Sequence, residues 1–157
     1  MKLEKLNIQY DLNCILLAIR SQIEDYRFAY FLNKSSLFLF QRMSKDLSYL
    51  INDKIVYFSS FQDFNKDLKR ESFLIKNKTI YQSNLNSQLG LFSDSDITNT
   101  VFLIPELKDF DYVIKLVGIW KNSEVLNLKN FIASLQVVES SVKVDVNKLK
   151  SRNNLVF

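Results

Sequence analysis

Apolar residues occur along this chain in short runs whose spacing switches between strand-like and helix-like. Over 13–20 the run Cys14-Ile15-Leu16-Leu17-Ala18-Ile19 is continuous and partly β-branched, which predicts a buried strand, with a helix as the competing reading. Over 22–34 the spacing becomes helical. Phe28, Phe31, Leu32 and Ser35 fall on one stripe with Ala29 beside it, and Tyr26, Tyr30 and Asn33 on the next. Ser21 stands where an N-cap belongs, with Glu24 three residues on as in a capping box. Asp25 adds negative charge to the first turn.

Short apolar segments over 37–40, 55–61 and 72–81 then predict strands. Lys76-Asn77-Lys78 interrupts the last of these and predicts a tight turn that folds it into a hairpin. Residues 83–99 are polar and rich in Asn and Ser, an excursion that Gly90-Leu91-Phe92 would pin to the body. A strand over 100–104 stops at Pro105, which has no N–H to give and holds Ile104 extended. The chain turns through 107–110 and returns as a strand over 112–118. A helix over 126–135 aligns Leu128, Phe131, Ile132 and Leu135, with Asn127 as its cap, and 137–144 alternates like a half-exposed strand. Strand, helix, several strands, helix, strand predicts an α+β fold: a mainly antiparallel sheet with two main helices packed on one face. No Pro- or Gly-rich linker divides the 157 residues, so a single domain over 1–157 is expected.

Composition narrows the chemistry. The chain has no histidine, which removes the commonest general base near neutral pH and the commonest transition-metal ligand. Its two glycines, Gly90 and Gly118, cannot form a Gly-rich phosphate loop or a dinucleotide fingerprint. Cys14 is the one cysteine, lies in an apolar run, and reads as a small buried hydrophobe in a reducing compartment. No apolar run approaches the ~20 residues that span a bilayer. Glu4 and Asp11 break up the start, so neither a signal peptide nor membrane contact is expected and the cytoplasm is. Together these favour a protein without turnover and without a cofactor.

Ile104-Pro105-Glu106-Leu107-Lys108-Asp109-Phe110-Asp111-Tyr112 is the most specific peptide in the chain. It resembles the signature of the IPExxxVDY family of small, uncharacterised bacterial proteins, with Phe110 where the pattern has valine. Glu24-Asp25-Tyr26-Arg27 and Leu149-Lys150-Ser151-Arg152-Asn153-Asn154-Leu155 also resemble that family, which extends the likeness over most of the chain. The resemblance implies a bacterial setting and no activity.

The residues themselves leave two roles open for the signature turn. Pro105, Glu106, Asp109, Asp111 and Tyr112 form a binding surface or a hydrogen-bonded structural turn. Alternatively, Glu106, Asp109 and Asp111 gather their carboxylates around a divalent cation, as an enzyme would. Asp25, Tyr26 and Arg27 offer an anion or partner contact at a helix start, or an ion pair there. Charge is uneven. Lysine and arginine total 21 against 17 acidic residues, a net +4, and residues 81–120 are acidic between basic flanks. Lys66, Lys69, Arg70, Lys76 and Lys78, with Lys143, Lys148, Lys150 and Arg152, would carry a nucleic acid if they shared a face. The expected function is a small binding or adaptor protein acting through protein–protein contact or self-association. RNA or ribonucleoprotein association and a carboxylate-metal enzyme are the alternatives. The terminal Leu155-Val156-Phe157 is expected to cover the protein's own sheet edge.

Overall fold

The computed structural model describes residues 12–83 and 97–157. Six strands form its main sheet, antiparallel at every junction, in the order β10-β1-β9-β6-β5-β2. They are β1 (Cys14–Arg20), β2 (Gln41–Arg42), β5 (Ser60–Asn65), β6 (Arg70–Lys76), β9 (Tyr112–Val117) and β10 (Ser140–Val144). Two further pairs, β3 (Leu47–Ile51) with β4 (Lys54–Phe58) and β7 (Lys78–Ser83) with β8 (Ile97–Phe102), are separate antiparallel ribbons. Among the described residues two α-helices, α1 (Asp25–Asn33) and α2 (Asn122–Ser134), complete an α+β architecture with three short 3-10 turns.

β1 shows how the sheet builds two cores. Successive side chains leave a strand on opposite faces. Leu17 and Ile19 accordingly join one apolar cluster with Leu74, Ile114, Phe28, Leu32, Leu128 and Ile132. Leu16 and Ala18 join another with Phe73, Ile75, Val113, Phe58, Ile104 and Leu155. A strand buried on both sides needs an unbroken apolar run, which is why 14–19 lacks alternation.

Several expectations need correction. Ser21 does not cap α1: the helix begins at Asp25 with Glu24 as N-cap, and the buried Ser21 hydroxyl donates to the Val137 carbonyl at 2.6 Å. Residues 37–40 are not a strand; Phe38 and Phe40 turn inward and stack at 4.7 Å between centroids. The segment 55–61 is two strands belonging to different sheets, broken at Ser59. β6 and β7 do not pair across Asn77 as a hairpin. α2 starts at Asn122, ahead of the expected cap at Asn127, and Glu124 accepts the Lys121 N–H at 2.8 Å. The Gly90-Leu91-Phe92 pin, Glu4 and Asp11 lie outside the described residues.

The C-terminal residues lie over the sheet's face instead of its edge. Leu155 is fully buried, Phe157 meets Phe73 edge-on at 5.1 Å, and the Leu155 carbonyl accepts from buried Lys115 at 2.7 Å. Among the described residues no helix is long and apolar enough to cross a membrane.

Candidate functional site at the signature turn

The signature turn is fixed from beneath by Asn77. Its residue is fully buried and makes five hydrogen bonds. The Asn77 N–H donates to the Asp111 carbonyl at 2.7 Å, and the Asn77 carbonyl accepts from Leu103 N–H at 2.7 Å. Its side-chain amide donates to the carbonyls of Leu107 and Phe110, at 2.8 and 3.1 Å, and accepts from Ile104 N–H at 2.9 Å. One polar side chain thus satisfies the main-chain groups that Pro105 and the short 3-10 turn Pro105–Leu107 cannot pair among themselves. The two flanking lysines are forced apart: Lys76 ends a strand of the main sheet, and Lys78 begins a strand of the β7–β8 ribbon.

The motif's carboxylates face different partners. Glu106 accepts from the Ser151 N–H at 2.8 Å and from the Ser151 hydroxyl at 2.6 Å, tying the turn to the C-terminal segment. Desolvation would raise its carboxyl, but these Ser151 bonds and nearby backbone N–H groups outweigh it and hold the group below the usual range. Asp111 accepts from Ser21 N–H at 2.9 Å and pairs with Lys78 at 3.4 Å. Asp109 is exposed at the surface. Among the described residues no group of three Asp, Glu, Cys or His side chains is placed to hold a metal ion. The turn therefore does not assemble the three-carboxylate cation site that its spacing allows.

Tyr112 is buried, donates its hydroxyl to the Ile23 carbonyl, and packs its ring 4.9 Å from Phe28. Burial first, then the negative charges of Asp25, Asp111 and Glu24, push that hydroxyl far above the ordinary tyrosine range, so it stays protonated. Asp25 accepts from the Ser59 hydroxyl and the Tyr26 N–H and lies 3.4 Å from Arg42. Burial opposes its ionisation, but those hydrogen bonds, Arg42 and Lys76 hold it below the usual range. Tyr26 and Arg27 stay exposed on α1.

Above this frame opens a cleft of about 490 Å³, bounded by the end of β1, the Asn77 junction and the turn. Arg20, Lys76, Lys78 and Lys108 line it with Asp109 and Asp111, an excess of two positive charges. Arg20 is matched by Glu139 at 2.9 Å and Lys78 by Asp111. Lys76 and Lys108 have no carboxylate within ion-pair distance among the described residues. Arg20 and Lys108 escaped the reading of the sequence. Lys108 sits inside the signature itself, and an unmatched lysine beside a rigid turn was the signal available. Asn77 was visible only as a polar break between two lysines.

The remaining basic residues are not brought to this cleft. Lys66 and Lys69 lie in the β5–β6 turn, at the far end of a seven-residue strand from Lys76, roughly 20 Å along the sheet. Arg70 is committed: it forks onto Glu124 at 3.1 and 2.7 Å, donates to the Ile119 carbonyl at 2.7 Å and stacks 4.2 Å from Trp120. Lys148 faces Asp145 at 4.0 Å, Arg152 reaches the Asn147 carbonyl at 3.5 Å, and Lys150 lines a shallow hollow with Pro105, Glu106 and Ser151. Lys143 is exposed on β10. The candidate nucleic-acid residues thus divide among three places.

The signature turn, the start of α1 and the C-terminal segment 149–155 meet here. Tyr112 packs on the helix that contains Asp25-Tyr26-Arg27, Glu106 holds Ser151, and the Asn154 amide donates to the Leu103 carbonyl at 2.8 Å. No protein-family profile matches the chain, and no curated protein or solved structure is similar to it.

Proposed function

We propose that this chain is a binding protein that works by contact, taking an acidic surface of a protein partner into the cleft beside the signature turn. The observation that carries the reading is the pair Lys76 and Lys108, two ammonium groups with no carboxylate within ion-pair distance among the described residues, on a rim whose floor Asn77 holds rigid. A preorganised cationic cleft attracts an acidic partner over a Debye length and fixes its orientation. Turnover fits poorly. The cleft's one phenol is locked as a donor to a carbonyl, and its half-buried carboxylate, Asp111, is already bonded by Ser21 and Lys78. The same reading places the chain in the IPExxxVDY family and the cytoplasm, with both helices on one face of the main sheet. Support for the last is the single apolar cluster that Phe28, Leu32, Leu128 and Ile132 share.

Affinity capture from an extract of the native cell tests it, with wild type beside a Lys76→Glu/Lys108→Glu double variant. Wild type should retain an acidic protein that salt releases, and the double variant should not. Equal retention by both baits sinks the reading, as does a retained species that absorbs at 260 nm and vanishes with nuclease.

A further inference from the structure

The cleft at the signature turn has a charge and size that select one kind of anion. We infer that Lys76 and Lys108 anchor a dianionic phosphate monoester, a deduction that rests on the cleft being the contact site. A phosphate monoester carries nearly two negative charges at neutral pH and three acceptor oxygens. Four cations, Arg20, Lys76, Lys78 and Lys108, line the cleft against two carboxylates, and among the described residues neither Lys76 nor Lys108 has a carboxylate within ion-pair distance. Lysine is a point-charge donor that grips phosphate without requiring the planar fork of arginine, and the one arginine here is already engaged by Glu139.

The site is built from separate parts of the chain. Lys76 ends β6, directly opposite Tyr112 in the β6–β9 register, and Lys108 comes from the signature turn. Lys78 enters from the other side of Asn77. Its contact with Asp111, 3.4 Å, is long for a charge-assisted hydrogen bond, so its ammonium group can share its protons with an incoming oxygen. Asp109 at the rim sets a limit: an anion spread along a backbone would meet its negative charge, whereas a compact terminal phosphate sits inside it. At about 490 Å³ the cleft has room for a phosphate and the group that carries it.

Isothermal titration and 15N chemical-shift mapping at constant ionic strength test this with four probes. These are inorganic phosphate, phenyl phosphate, a phosphoserine peptide and a single-stranded oligonucleotide. Phosphate and phenyl phosphate should bind saturably and shift the amides around 76–78 and 107–111. Lys108→Glu and Lys76→Glu should each weaken binding about ten-fold or more, the loss of one charge-assisted contact. Lys66→Glu, at the far end of β6, should leave it unchanged. A phosphoserine peptide that binds at least as tightly as phenyl phosphate makes the source a modified side chain, and a weaker one makes it a free phosphorylated small molecule. The inference is overturned if phosphate acts no differently from chloride, if both lysine variants keep full binding, or if the oligonucleotide alone binds. If phosphate fails while the lysine variants still lose the captured acidic protein, contact at the cleft stands and the phosphate does not. Amide spectra of each variant show that its fold is retained.

Discussion

Cutting back the Asn77 side chain takes their partner from the buried Ile104 N–H and the part-buried Phe110 carbonyl, while the Leu107 carbonyl keeps only the Phe110 N–H. Buried polar groups stranded in this way cost about 1–3 kcal/mol each. Asn77→Ala should therefore destabilise the protein by about 2 kcal/mol or more, seen as a lower urea midpoint, while Asn77→Asp keeps the acceptor and loses the two donated bonds. Tyr112→Phe removes one hydroxyl whose acceptor, the Ile23 carbonyl, lies between β1 and α1, and should cost about 1–2 kcal/mol by the same measurement. Gly118 is held at φ +103, and an added Cβ would come 2.9 Å from the Lys69 carbonyl. Gly118→Ala should cost about 2 kcal/mol in thermal melts, because both backbone strain and a backbone clash oppose it.

At the scale of elements, the β3–β4 hairpin turns on Asn52 and Asp53 at φ 49 and 62, with Ile51 opposite Lys54. Two positive φ values in a two-residue loop make a type I′ turn, which favours glycine at its second position. Asp53→Gly should raise the thermal midpoint, by about 0.5 kcal/mol of stability, and leave the phosphate site untouched. Asn52-Asp53 between Leu50-Ile51 and Ile55-Val56 did not predict this hairpin, and the apolar residues of 55–61 read as one strand. The chain changes sheets at Ser59 with no glycine or proline to mark it, because the hydroxyl of Ser59 bonds Asp25 in place of any local turn signal. β1, β9 and α1 were readable because their apolar runs are long enough to show period and burial. What stayed hidden were junctions whose stability comes from distant partners, Asn77 above all, and sequence spacing does not encode such partners. Ser21 shows the same limit: its position suits a helix cap, but its hydroxyl goes to Val137, 116 residues away.

For the molecule as a whole, pH should reveal opposing groups. Asp25 and Glu106 are more acidic folded than unfolded, so their contribution is present above about pH 4 and is lost as pH falls through their folded values. On the alkaline side Tyr112 is raised chiefly by burial, as is Cys14. The unfolded chain releases those protons first, so stability falls as pH climbs past about 9–10. Buried Lys115, lowered by desolvation, works in the opposite direction, because the unfolded state binds its proton more tightly there and stability gains as pH rises toward about 10. Chemical denaturation across pH 3–11 should show an acid decline that Glu106→Gln softens and an alkaline decline that Tyr112→Phe softens. The Asn77 junction carries one more consequence, readable by isotope labelling. In most proteins the amide hydrogens that swap with solvent fastest are those of turns, and the slowest belong to central strands. Here the Asn77 N–H is held by the Asp111 carbonyl, that of Leu103 by the Asn77 carbonyl and that of Ile104 by the Asn77 side-chain oxygen, all at the meeting point of two sheets, so deuterium should reach them only when the whole chain comes apart.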